Sequence, residues 1–247
     1  HAFYSCDSLA SITIPDNVTE INDYTFSCCD NLINISIPNN VTKIGDNAFD
    51  GCTSLTDMTI PDSVTEIGRY AFSNCANLAS VTIGNSVTFI SYEAFEKCSR
   101  LTSVIIPDKV TKIGFRAFNE CSNLTSVTIP NSITFIDTYA FSNCSSLENV
   151  YIFDLEAWCN IEFSGNPLSN GAKLYLNGSP VTDLVIPNGV ESINSYAFYN
   201  CSSLTSVEIP DSVTSIGSPA FYGCDSLESV HISDLAAWCN IEFEAYS

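Results

Sequence analysis

The chain has 247 residues, is 45% hydrophobic, and carries 28 acidic against 8 basic side chains for a net charge of −20. That length and apolar content support a packed core rather than disorder, while so acidic a surface is repelled by nucleic acid and by anionic membranes, which makes both poor partners. No apolar run approaches the roughly 18 residues needed to cross a bilayer, and "HAFYSC" at the start does not read as a signal peptide but as the middle of a unit.

Twelve cysteines would ordinarily suggest a secreted, disulfide-bonded chain. Their positions say otherwise. Cys6, Cys29, Cys52, Cys75, Cys98, Cys121 and Cys144 recur at one constant interval, and after a longer gap the series resumes with the same interval at Cys201 and Cys224. Each is preceded three residues earlier by phenylalanine, from Phe3 to Phe221. A fixed 23-residue period means a solenoid of stacked units, none of which buries its apolar side alone.

Each unit passes through three boxes. L-x-x-V-x-I, starting at Leu9, Leu32, Leu55, Leu78, Leu101, Leu124, Leu204 and Leu227, alternates apolar and polar positions and predicts a short half-buried strand. Proline directly after it ends the strand, and the neighbouring Asp16, Asn39, Asp62, Asp108, Asn131 or Asp211 suits a turn. V-T-x-I predicts a second short extended piece. A-F-x-x-C spaces two apolar groups by one helical or 3₁₀ turn, so both point inward.

The ladder cysteines are therefore expected to be reduced core packing. Neighbouring rungs roughly 4.8 Å apart would permit the Cα separation of a disulfide, but side chains pointing the same way seldom reach its dihedral angle, and nine rungs cannot all pair. Zinc would need clustered ligands, and the only histidines are His1 and His231. Cys28, where units such as those of Ser5, Gly51 and Asn74 have Ser, Gly or Asn, is expected to be the most exposed thiol. Asp16, Asp62 and Asp108 alternate with Asn39, Asn85 and Asn131, a spacing that relieves repulsion rather than building a calcium loop. No metal or cofactor is expected.

Regular units cover 1–152 and 181–232 of what reads as one solenoid domain. Between them, "DLEAWCNIEF" at 154–163 returns as "DLAAWCNIEF" at 234–243, and Asp154 and Asp234 are placed to cap short helices bearing Trp158–Cys159 and Trp238–Cys239. The tryptophans are expected to cover the side of the stack. "LYLNGSPVTDLVI" reads as a hairpin about Asn177–Gly178, so 153–180 forms an irregular insert and 233–247 a second, truncated box. Both ends fall within units, as in a piece of a longer array.

The outward slot of the first box is mostly threonine. The slot in V-T-x-I reads Glu20, Lys43, Glu66, Phe89, Lys112, Phe135, Ser192, Ser215: opposite charges on neighbouring rungs, then a lysine between two phenylalanines, positioned for cation–π contact. Nearby slots add Tyr92, Phe115, Arg116 and Tyr139, and Lys97, Arg100, Lys109, Lys112 and Arg116 make 97–116 a basic stretch in an acidic chain. An aromatic and basic surface formed by Phe89, Tyr92, Lys112, Phe115, Arg116, Phe135 and Tyr139 is the candidate binding site; the competing reading is solvated side chains that stabilise their neighbours.

The unit L-x-x-V-x-I-P-x-x-V-T-x-I-G-x-x-A-F-x-x-C resembles the BspA-like, treponemal-type leucine-rich repeat over nearly the whole chain outside about 153–180. The resemblance implies a right-handed, curved solenoid with parallel sheets, in a secreted or cell-surface protein used for adhesion to host proteins, extracellular matrix or other cells. It implies no catalytic residues. Two other readings stand beside adhesion: a structural spacer in a longer surface protein, or an enzyme built on Cys28 or a Trp-Cys box, neither of which contains a histidine.

Overall fold

The computed structural model describes residues 1–244. Each unit contributes one strand of three or four residues and one of two, and strands of successive units pair parallel, each residue with its equivalent in the next unit. Ser11 pairs with Asn34, Ser103 with Ser126 and Ser126 with Asn149. In the short series Glu20–Ile21, Lys43–Ile44 and Glu66–Ile67 pair in turn, and Phe89–Ile90, Lys112–Ile113, Phe135–Ile136 and Glu162–Phe163 form the next sheet. The solenoid of parallel sheets expected from the repeat is what the chain forms.

Alternation decides which side chains go in. In Ser103–Ile105 and Ser126–Thr128 the central valine is buried and its neighbours face outward. The closing proline turns the chain off the sheet: Val18, Val41, Val64 and Val110 each donate their N–H to the carbonyl of the proline three residues earlier at 3.0 Å. Inside, Phe3, Phe26, Phe49, Phe72, Phe95, Phe118 and Phe141 stack ring on ring at 5.1–5.5 Å and within 17° of parallel. That spacing follows the rise of the stacked strands, and each stacked pair adds about 0.5–1.5 kcal/mol beyond its buried area.

The A-F-x-x-C segment is not the helical turn expected from its spacing. It is a pair of tight turns, with Cys52 N–H on Phe49 O and Asp50 N–H on Asn47 O, and each pair holds two residues in the left-handed region. Asn47, Tyr70, Glu93, Arg116 and Tyr139 occupy the first such position and Gly51, Asn74, Lys97, Glu120 and Asn143 the second. These reversals of the backbone let alternate amides point along the stack, so that Tyr70, Phe72 and Asn74 donate to the carbonyls of Tyr92, Ala94 and Glu96 in the next unit. A helix would have kept those donors for itself.

Seven of the nine ladder thiols lie in the core, Cys6 and Cys224 at the ends being half-buried, and the series takes part in the same axial bonding. Cys52, Cys75, Cys98, Cys121 and Cys144 each donate through Sγ, at 3.1–3.2 Å, to the carbonyl of the ladder phenylalanine of the preceding unit. All twelve cysteines are free thiols. Cys28 is only half-buried, beside Ser27, whereas Cys239 is exposed, so the expected ranking of thiol exposure is corrected. The second Trp-Cys box ends the described solenoid, and Cys239 therefore lacks the covering unit that buries Cys159.

The stretch 153–180 makes one more turn of the coil rather than leaving it. Asp154 caps the helix Leu155–Cys159 by accepting from the N–H groups of Glu156 and Ala157, and Asp234 likewise caps Leu235–Cys239 by accepting from Ala237. Glu162–Phe163 then rejoins the short-strand sheet, the 3₁₀ turn Pro167–Asn170 takes the place of A-F-x-x-C, and Lys173–Leu176 pairs parallel with Asn149–Ile152. A hairpin follows about Asn177–Gly178, both at positive φ, pairing Leu176 with Ser179. Trp158 is buried in the core instead of covering the side of the stack, and its Nε1–H donates to Ala197 O at 2.9 Å. Residues 245–247, the tail of the second box, lie outside the described residues.

Candidate functional site

The short-strand sheet places Lys112 directly between Phe89 and Phe135, as the repeat requires. Lys112 is exposed and both phenylalanines are half-buried. The cation–π contacts belong to arginines instead. Arg116 sits over the Phe115 ring at 5.0 Å and the Tyr139 ring at 5.8 Å, and Arg69 over Tyr92 at 5.1 Å. A planar guanidinium lies flat on a ring where a lysine ammonium is drawn away into water.

Two edge-to-face pairs brace this surface: Phe89 with Tyr92 at 5.9 Å, and Phe115 with Tyr139 at 6.0 Å. Gly114 is needed for it, because a Cβ there would come within 3.0 Å of both Ile90 O and the Tyr92 ring. Arg69, Tyr70, Tyr92, Glu93, Phe115 and Asp137 line a shared groove. Glu93 has its carboxyl raised above the ordinary value, first by burial and then by hydrogen bonding and repulsion from Glu96, with Arg116 and Tyr70 opposing.

The basic stretch does not form one surface. Lys97 lies in a different groove with Asn74, Glu120 and Asn143, and Arg100 donates to Asn77 Oδ1 at 3.3 Å. Both belong to the turn side of the unit, not the short-strand side. Arg69 was missed by sequence reasoning because it stands outside 97–116. The signal available was its position exactly one repeat before Tyr92, which put it one rung from an aromatic slot. In the acidic half of the short-strand series Lys43 meets Glu66 at 2.8 Å, the opposite-charge pairing expected from the slot.

The first Trp-Cys box holds no poised nucleophile. Cys159 in the first Trp-Cys box is fully buried and its thiol is pushed up to about 12, by burial first and then by Asp154 and Glu156. Among the described residues no group of three His, Cys, Asp or Glu side chains is placed to hold a metal ion, and no helix is long and apolar enough to cross a membrane.

Comparison with known proteins bears on the repeat and the fold. The chain is similar in structure to a leucine-rich repeat protein from Bacteroides ovatus, at 27% identity and a TM-score of 0.60 over 93% of this chain and 68% of the other. A leucine-rich repeat protein from Eubacterium ventriosum matches at 21% identity and a TM-score of 0.51, over 90% and 68% of the two chains. A leucine rich cell surface protein from Faecalibacterium prausnitzii matches at 27% identity and a TM-score of 0.42, over 96% and 83%. No curated protein matches. The model of the BspA type leucine rich repeat region matches residues 1–102, 89–168 and 171–247 in six copies, and the chain belongs to that family.

Proposed function

We propose that this solenoid is a non-catalytic binding module of a secreted or cell-surface protein, and that it engages a protein or glycoprotein partner through the aromatic and arginine surface around Phe89, Tyr92, Phe115, Arg116 and Tyr139. The observation that carries the reading is the pair of arginines laid on exposed tyrosine rings and the half-buried Phe115 ring, in a chain whose slots equivalent to Arg69, Tyr92 and Phe115 hold Asp23, Asp46, Thr138 and Ser195 in other units. Aromatic side chains and arginine are the residues that most often dominate binding energy in protein interfaces. Lys112 and Phe135 extend the surface along the sheet, and family membership supports the surface setting.

The test is binding of the chain to a panel of extracellular-matrix proteins and glycoproteins at low and physiological salt. A saturable partner is expected, weakened at least about tenfold by Phe115→Ser combined with Arg116→Asn. Asn47 shows that asparagine accepts the left-handed backbone of Arg116. Unchanged affinity in that variant would remove this surface as the site. Silence across the whole panel would favour the spacer reading.

A further inference from the structure

From the turn at Phe3 to the turn at Phe118, each turn passes alternate amides to the next. Tyr70, Phe72 and Asn74 donate forward at 2.8–3.0 Å, and so do Arg116, Phe118 and Glu120, which reach Thr138, Ala140 and Ser142 at 2.8–3.2 Å. The next turn breaks the rule. No A-F-x-x-C segment follows it in the succeeding unit, and the N–H groups of Tyr139, Phe141 and Asn143 find no acceptor among the described residues. Amides that no other part of the fold accepts stay free to donate to water or to a ligand.

The space beside Tyr139 and Phe141 is a cleft of about 350 Å³, between that turn, the 3₁₀ turn Pro167–Asn170, and the turn that restarts the array. Tyr139, Tyr196 and Tyr199 wall it, the first two 51% and 38% exposed. Asn170, Asn200 and Ser164 line it with amide and hydroxyl groups, and no charged side chain does. Asn170 is held in place by donating to Phe141 O at 2.9 Å, the bond that a ladder thiol makes in the regular units. Gly165 closes one side, packed so tightly that a Cβ would come within 2.7 Å of Asp137 O.

We propose that this cleft is a binding subsite for a neutral sugar residue. Tyrosine rings offer flat apolar faces to the C–H side of a pyranose. Amide and hydroxyl side chains both donate and accept, matching sugar hydroxyls, and the free backbone N–H groups are fixed donors for the sugar oxygens. The volume falls in the range of small-ligand clefts. An uncharged lining in a molecule of net charge −20 disfavours acidic sugars. The subsite shares only Tyr139 with the arginine surface and stands or falls separately from it.

The experiment is an NMR titration of the chain, following backbone amides, with lactose, mannose, N-acetylglucosamine and sialyllactose. Two variants use residues the fold already accepts at equivalent places: Tyr196→Asn, as at Asn47, and Tyr199→Ser, as at Ser73. The expected result is a saturable shift of the Tyr139 and Phe141 amides with at least one neutral sugar, and binding weaker by about tenfold or more in each variant. Three results would overturn the proposal: no saturable shift with any neutral sugar, equal affinity in both variants, or tighter binding of sialyllactose than of lactose.

Discussion

At Cys144 the sulfur lies in the core, donates to Phe118 O at 3.1 Å, and has its thiol pushed up to about 12 by burial. At pH 7 that leaves roughly one thiolate in 10⁵, against a few per cent for an ordinary cysteine. Native labelling with a thiol reagent is therefore expected to modify Cys239 first and the half-buried Cys6, Cys28 and Cys224 next, with the buried ladder reacting only as the chain unfolds. Rapid modification of Cys75 or Cys98 in the folded protein would refute this. Glu93 gives a second prediction. Burial and Glu96 raise its folded value above that of the unfolded chain, so the folded state holds the proton more tightly, and stability rises as pH falls from neutral through that raised value. Glu93→Gln should be more stable than the parent at pH 7 and should lose part of that pH dependence. Urea midpoints at pH 7 and pH 5 check it, and a variant less stable at pH 7 would count against it.

The column of phenylalanine rings belongs to the scale of the element, since no single unit contains a stacked pair. Phe95 is fully buried between Phe72 and Phe118. Phe95→Ala should cost about 3–5 kcal/mol, and Phe3→Ala clearly less, because Phe3 has one ring neighbour and is partly exposed. Equal costs by denaturant titration would show that stacking does not couple the units. The strands were readable from valine and isoleucine alternation, the caps from Asp154 and Asp234, and the hairpin from Asn177–Gly178. The turns were not, because Tyr70, Glu93 and Arg116 adopt a backbone that few residues other than glycine and asparagine favour. Asn47, Gly51, Asn74 and Asn143 at the same two positions in other units carried that signal.

Over the whole molecule the constant period made the architecture legible, because burial in a solenoid is a property of the repeat. The candidate surface was legible only in part. Register placed Lys112 between Phe89 and Phe135 correctly, yet it says nothing about how far a long side chain reaches, and Arg116 and Arg69 took the rings. Linear clustering of Lys97 and Arg100 with Lys112 misled for the opposite reason: a unit spends its whole length going round the coil, so neighbours in sequence face different ways. The extra turn at 149–172 was hidden because its short helix and 3₁₀ turn carry none of the usual boxes.

The missing forward acceptors for Tyr139, Phe141 and Asn143 also have a mechanical side. From Phe3 to Ser142 each interface on the turn side is closed by backbone bonds acting in parallel along the axis. At the following interface that side is joined by a side chain, Asn170 to Phe141 O, and at the one after it by Trp158 to Ala197 O and Asn166 to Tyr196 O. A chain pulled along its axis is expected to part after the extra turn, where Glu162–Phe163 and Lys173–Leu176 have no parallel partner in the next unit, before its regular blocks lose their shape. Tension would then open the cleft itself, so that a ligand held across it would act as a clasp, and the grip of this surface would depend on how hard it is pulled.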